Sequence, residues 1–250
     1  MTLFLRKILS KSVALCCSFF VCILSNNIAV ASTNITLISS QRSLEYPQDA
    51  VRFSQVLADS YALLTYQPYF FGTSLIDPRK QPTVEKKKLD ILNKLQEINS
   101  PASNYLAKQL DALHFVYREK IETDPSKIRV DSKLDPMIKG NYWLDIPKRP
   151  KHIFIINANI ESSLTLPLKI NSDLESYLGD LPDANSHTYD SAWIIQANQD
   201  VYQATDIQWQ DKGYFLSPGA IIFIGLTNLP DEYQDLNADI AHFLTFCLEL

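Results

Sequence analysis

The residues able to do chemistry in this chain are sparse, and few stand at spacings that build a site. The four histidines, His114, His152, His187 and His242, share no metal-ligand spacing, and there is no HExxH. No metal or other cofactor is expected. No serine sits in a GxSxG elbow, and six dispersed glycines do not make a phosphate-cradling loop. Asp180, Asp183 and Asp190 surround a polar loop. Two carboxylates could cleave a glycosidic bond if folding set them a few ångströms apart and raised the pKa of one; otherwise these are solvated loop acids. No residue is assigned a catalytic role.

Binding chemistry is better represented. Tyr61, Tyr66, Tyr69, Phe70 and Phe71 form the densest aromatic cluster, broken by Pro68 and Gly72. Such rings can stack on sugars or fill the gap between packed elements. Arg118 directly follows Tyr117 near the expected end of a helix, where it either closes a polar pocket or interacts with the helix C-terminus. Lys148 and Arg149 precede Pro150 at a candidate junction.

The elements that must position these residues follow from pattern. Arg6, Lys7 and Lys11, the apolar run Val13–Leu24 and the small residues Ala29-Val30-Ala31 make a secretory signal peptide, with cleavage expected after Ala31. Cleavage removes three positive and no negative charges, so the net charge moves from -5 to -8 and 219 of the 250 residues remain. Cys16, Cys17 and Cys22 leave with the leader, only Cys247 stays, and no internal disulfide can form. The acidic balance disfavours nucleic acid as a partner.

Asn34–Ser40 reads as a strand and the segment around Val51–Leu57 as a short helix. Val84, Lys88, Leu92, Leu95 and Ile98, then Leu106, Leu110, Leu113 and Tyr117, recur at helical spacing on either side of Asn99-Ser100-Pro101 and predict an antiparallel helical hairpin. From Ile121 the character changes to short β-forming segments, including KIRVD and NYWLDIP. His152–Asn159 is a strong strand, and Pro167 marks the next as an edge or a bulge. Asp173 can cap a short helix, Asn198-Gln199-Asp200 makes a hairpin turn, and Ala220–Gly225 is a strand. Residues 231–250 are expected to be helical, with Leu236, Ile240, Phe243, Leu244 and Cys247 on one apolar face that docks in cis or binds a partner. The class is α+β, and the second half has the pattern of a β-grasp sheet crossed by one helix.

In order along the chain, YREKIETDPSKIRVD (117–131), NYWLDIPKRPKHIFIINAN (141–159), SLTLPLKINSDLESYLGD (163–180) and SPGAIIFIGLTNLPDEYQDLNADIAHFL (217–244) resemble the capsule and exopolysaccharide biosynthesis proteins of the GfcC family. The resemblance covers most of residues 32–250. It implies two β-grasp-like domains, 32–148 carrying the helical hairpin (about 82–120) and 149–229, followed by an amphipathic helix over 230–250. It also implies a periplasmic protein with no established catalytic activity, acting in polysaccharide assembly or secretion. The implied partners are the polysaccharide or an outer-membrane polysaccharide export protein, whose β-grasp domains are similar. The family's cleft arginine corresponds to Arg118, although Tyr117 stands where its pattern has glycine. The expected ligand cleft therefore comprises Arg118, Tyr117, Tyr69, Phe70 and Arg149. A carbohydrate-active enzyme working through the loop carboxylates is the alternative.

Overall fold

A computed structural model describes residues 32–182, 189–205, 207 and 213–249. Thr33–Leu37 (β1) and Arg42–Tyr46 (β2) form an antiparallel hairpin. Val51–Arg52 (β3) leads into helix Phe53–Ala62 (α1), and Ser74–Ile76 (β4) follows. Gln81–Ile98 (α2) and Pro101–Ala112 (α3) make the expected hairpin. Its break is built by three neighbours. Asn99 takes the left-handed conformation (φ 47°) that ends α2. Ser100 caps α3 by accepting from Ser103 N at 3.1 Å, and Pro101 occupies the first turn.

Beyond the hairpin come His114–Phe115 (β5), Pro125–Val130 (α4), Met137–Ile138 (β6) and Asn141–Asp145 (β7). The KIRVD segment is thus helical rather than extended. Asp124 accepts from Ser126 N at 2.8 Å and Pro125 occupies the first turn, so local capping outweighs the β-branched composition. The second helix of the hairpin ends at Ala112 rather than running on through Tyr117, and His114 lies in a strand.

β1, β2, β7 and β4 form one mixed sheet in the order β2-β1-β7-β4, with β7 parallel to β1. β1 alternates buried and half-buried residues because only one face of this sheet carries the core. There Ile35, Leu37, Leu75 and Leu144 meet Phe53, Val56 and Leu57 of α1.

The second sheet contains His152–Asn157 (β8), Leu164–Pro167 (β9), Ser191–Ile195 (β10), Val201–Thr205 (β11) and Ile221–Ile224 (β12). Its order is β11-β10-β12-β8-β9, and β12 is parallel to β8. In each sheet the first two strands form a hairpin, and the last strand of the unit inserts parallel to the first. This is β-grasp connectivity, and the chain is α+β as the pattern predicts. Pro167 falls on an edge strand, where its missing N–H breaks no ladder. The apolar runs of β8 and β12 mark strands covered on both faces. Ile153, Ile155, Ile194 and Ile222 face helix Leu174–Leu178 (α5), whereas Ile156, Ile195, Ile221 and Phe223 face the other way.

That other face is covered by the α2–α3 hairpin, although the hairpin is inserted between strands of the first sheet. Val84, Ile91, Leu95, Leu106 and Leu110 pack there with helix Leu236–Phe243 (α6). The buried Gln109 fastens the hairpin by donating to the Asn157 and Ile160 carbonyls at 2.9 and 2.7 Å and accepting from Asn157 N.

The C-terminal helix is shorter than its pattern predicts. It passes through a 3-10 turn, Leu244–Phe246, into strand Cys247–Glu249 (β13), which pairs with β5. Val116 N donates to Phe246 O at 2.9 Å, and Phe115 stacks on Phe243 at 4.3 Å, so pairing with β5 replaces another helical turn. Leu236, Ile240, Phe243, Leu244 and Cys247 are all buried in the chain's own core. Of the two expected fates of this face, docking in cis is the one found, and a partner could reach it only by opening that core. Phe243→Ala should cost about 3–5 kcal/mol in urea unfolding, whereas Leu89→Ala on the exposed side of α2 should stay within about 0.5 kcal/mol.

Candidate functional site

The segment from His114 to Glu119 is the hinge of the site. At one end Phe115 pairs with Cys247, and at the other Arg118 bridges to Ile76 at the end of β4. Tyr117 O accepts from Asp77 N, and Glu119 N donates to Leu75 O at 2.8 Å. In this extended backbone neighbouring side chains point to opposite sides. Tyr117 stacks on Phe246 at 5.4 Å under the ammonium of Lys80, while Arg118 turns into a cleft of 330 Å³.

The cleft draws Tyr69, Ser74, Arg118, Asp145, His152 and Gln196 from both sheets and their connecting loops. The Arg118 guanidinium lies at its floor. Nε donates to Ser74 Oγ at 2.9 Å, Nη2 to Ala197 O at 2.9 Å, and Nη1 to Thr245 O and Cys247 O at 3.0 and 3.3 Å. Three segments distant in sequence thus converge on one side chain. The Thr245 carbonyl belongs to the turn that closes α6, so Arg118 also caps that helix end with a positive charge. Burial pulls the guanidinium below its ordinary pKa, and electrostatic interactions with Cys247 and Asp145 act against that pull. With most of its five donors engaged by the chain, Arg118 acts on a ligand mainly through its field and through the walls it holds in place.

Tyr69 supplies the aromatic wall. Gly72 permits this, since a Cβ there would lie 2.8 Å from the Tyr69 ring. Burial raises the Tyr69 phenol, with a hydrogen bond to Ser217 and the charge of Arg149 acting against it, so the ring is neutral at ordinary pH. Gly219, in the positive-φ region at 77°, brings its backbone against Pro150, and both line the cleft.

Of the five residues expected in one cleft, the structure brings Arg118 and Tyr69 together. Arg149 sits 5.9 Å from the Tyr69 ring centre and backs that wall without lining the cleft. Phe70 packs edge-on against Tyr61 at 4.8 Å and borders a neighbouring groove. Tyr117 is on the far side, as strand alternation requires. Asp145, His152 and Gln196 also line the cleft. Sequence patterning marks them only as strand ends, because nothing local announces that three strand ends converge. Of the loop carboxylates, Asp183 lies outside the described residues, as does His187. Asp180 is ion-paired with Lys169 at 2.5 Å, and Asp190 is exposed. Among the described residues no cluster of three His, Cys, Asp or Glu could hold a metal ion.

Two β-grasp sheets, an inserted helical hairpin and a cleft lined by a buried arginine define an α+β protein. Comparison with known families agrees. The family described as "Capsule biosynthesis GfcC, N-terminal" matches residues 29–149, and "Capsule biosynthesis GfcC C-terminal" matches residues 162–247. The chain belongs to the GfcC family, which is named for capsule biosynthesis. It is also 30% identical over 149 residues to a protein of Escherichia coli (strain K12) described as "Uncharacterized protein YjbG". That match covers 59% of this chain and 60% of the relative's length.

If Arg118 is chiefly a clamp, Arg118→Lys will not replace it, because an ammonium cannot reach carbonyls in three directions from one plane. Amide hydrogen exchange at residues 244–248 should then speed up at least tenfold, while that of β8 and β12 stays unchanged.

Proposed function

We propose that this chain is a non-catalytic accessory protein of capsule or exopolysaccharide assembly or secretion, exported to the periplasm and processed after Ala31, and that it binds glycan in the Tyr69–Arg118 cleft. The observation that carries the reading is the make-up of the cleft. The Tyr69 ring shares the cleft with the polar side chains of His152 and Asp145, while Gln196 holds the rim by donating to Phe215 O and accepting from Ser217 N, both at 2.8 Å. A sugar offers a C–H face and equatorial hydroxyls, which match a ring and such groups. Membership of a family named for capsule biosynthesis supports a polysaccharide as the ligand.

Binding is favoured over cleavage by the state of the carboxylates. Among the described residues Asp145 is the one carboxylate lining the cleft, whereas glycoside hydrolysis uses a pair with one member raised as general acid. Nearby, Lys120 holds Asp200 below its ordinary value. Burial pushes Glu122 up, but hydrogen bonds from the Asp124 and Thr123 backbone and from Lys127 outweigh it and leave Glu122 lowered too. Glycan is favoured over an export protein as the primary ligand because the apolar helix face is occupied in cis. No helix among the described residues is long and apolar enough to cross a membrane.

The test is calorimetric titration with size-fractionated oligosaccharides prepared from the producing bacterium's own surface polysaccharide. Binding without release of new reducing ends is expected, and Tyr69→Ala should weaken it about tenfold, or about 1.4 kcal/mol. Release of reducing ends that is lost in Asp190→Asn would instead establish an enzyme. Intact mass of the exported protein should correspond to residues 32–250; a mass that includes residues 1–31 would overturn the processing assignment.

A further inference from the structure

A second concavity of 560 Å³ abuts the Arg118 cleft, and Tyr69 lines both. The contact between them is continuous along the chain in two more places. Ala197 borders the cleft and Asn198 the groove, and Arg118 borders the cleft while Lys120, two residues on, borders the groove. From Tyr69 the aromatic surface continues to Phe71, whose ring centre lies 6.3 Å away at an angle of 50°. Phe71 is 39% exposed, an apolar ring left open to solvent at the groove wall. The other members of the aromatic cluster are otherwise engaged. Tyr61 and Phe70 pack on each other, and the Tyr66 hydroxyl donates to Ile146 O at 2.5 Å.

The charges of the groove are matched internally. Lys120 pairs with Asp200 at 2.6 Å and also donates to Asn198 O at 2.7 Å. Lys127 pairs with Glu122 at 3.1 Å. The Asp124 carboxylate accepts from Ser126 N at the start of α4. An anionic ligand would meet lysines already neutralised and would have to approach three carboxylates. An uncharged polyhydroxyl ligand meets exposed ring surface together with side-chain amides such as that of Gln67.

We propose that the cleft and this groove form one continuous track for a single extended glycan chain, in which Tyr69 is the shared platform and the Phe71 groove takes an uncharged stretch of the polymer. This rests on the glycan-binding reading of the cleft and adds its length and its sugar chemistry. A ligand of one or two sugar units occupies only the Tyr69–Arg118 end. A longer one gains the second surface intramolecularly.

The same oligosaccharide fractions, from disaccharide upward, test this on the whole processed protein, with the wild type compared with Phe71→Ala and Gln67→Ala. Both side chains are exposed, and thermal melting checks that the variants fold alike. Wild-type affinity should rise about tenfold or more between the shortest and longest fractions. Phe71→Ala should abolish most of that rise while leaving disaccharide affinity within twofold, and Gln67→Ala should reduce it several-fold. If the rise is absent, or is the same in wild type and Phe71→Ala, the track is overturned while glycan binding at the cleft stands. Failure of every fraction to bind overturns both.

Discussion

The guanidinium of Arg118 is the constraint around which the two sheets and the chain terminus are arranged. A buried cation is costly unless its donors are satisfied. Here they are met by Ser74 of β4, by the turn that leaves β10, and by the carbonyls that close α6. Each partner belongs to a different part of the fold, so the geometry that satisfies the cation also fixes the terminus and the cleft walls against one another. Planarity matters: a guanidinium can point donors in several directions from one rigid plane, and an ammonium cannot.

The helical hairpin is the second such tie. It leaves the chain within the first sheet and spends its apolar face on the second, with Gln109 closing the polar seam at the end of β8. The second sheet therefore carries core on both faces while the first carries it on one, and the burial patterns of β8 and β1 differ accordingly. The sheets are held as one body by elements that cross between them, which lets a cleft between them keep its shape. Preorganised walls suit a binding protein, because less freedom is lost when ligand arrives.

Local backbone direction, extended at Tyr117–Arg118 and a 3-10 turn at Phe70–Gly72, then selects which residues reach the site. Tyr117 and Arg118 are neighbours with opposite fates, one stacked on Phe246 and the other in the cleft. Tyr69 and Phe71 are two apart and remain on the open surface, while Phe70 between them turns inward onto Tyr61. A cluster that reads in sequence as either core or platform is in fact divided residue by residue between the two.

What the sequence determined by itself were the features set by local chemistry. The hairpin and its Asn99-Ser100-Pro101 break, the Asp173 cap, the edge position of Pro167, the α+β class and the β-grasp pattern of the second half all follow from periodicity, capping and backbone restriction within a few residues. That Arg118 and Tyr69 line one cleft was legible through family resemblance and aromatic clustering. Tertiary structure decided what depends on long-range partners. It ended α6 at Phe243 because β5 offers an unpaired edge, and it turned KIRVD into a helix through a cap that its composition conceals. It buried the apolar terminal face on the hairpin and brought Asp145, His152 and Gln196 to Arg118 from strand ends far apart in the chain. Amphipathic periodicity says that a face must be covered, but the covering surface, like the set of carbonyls around a buried cation, is defined only once distant segments meet.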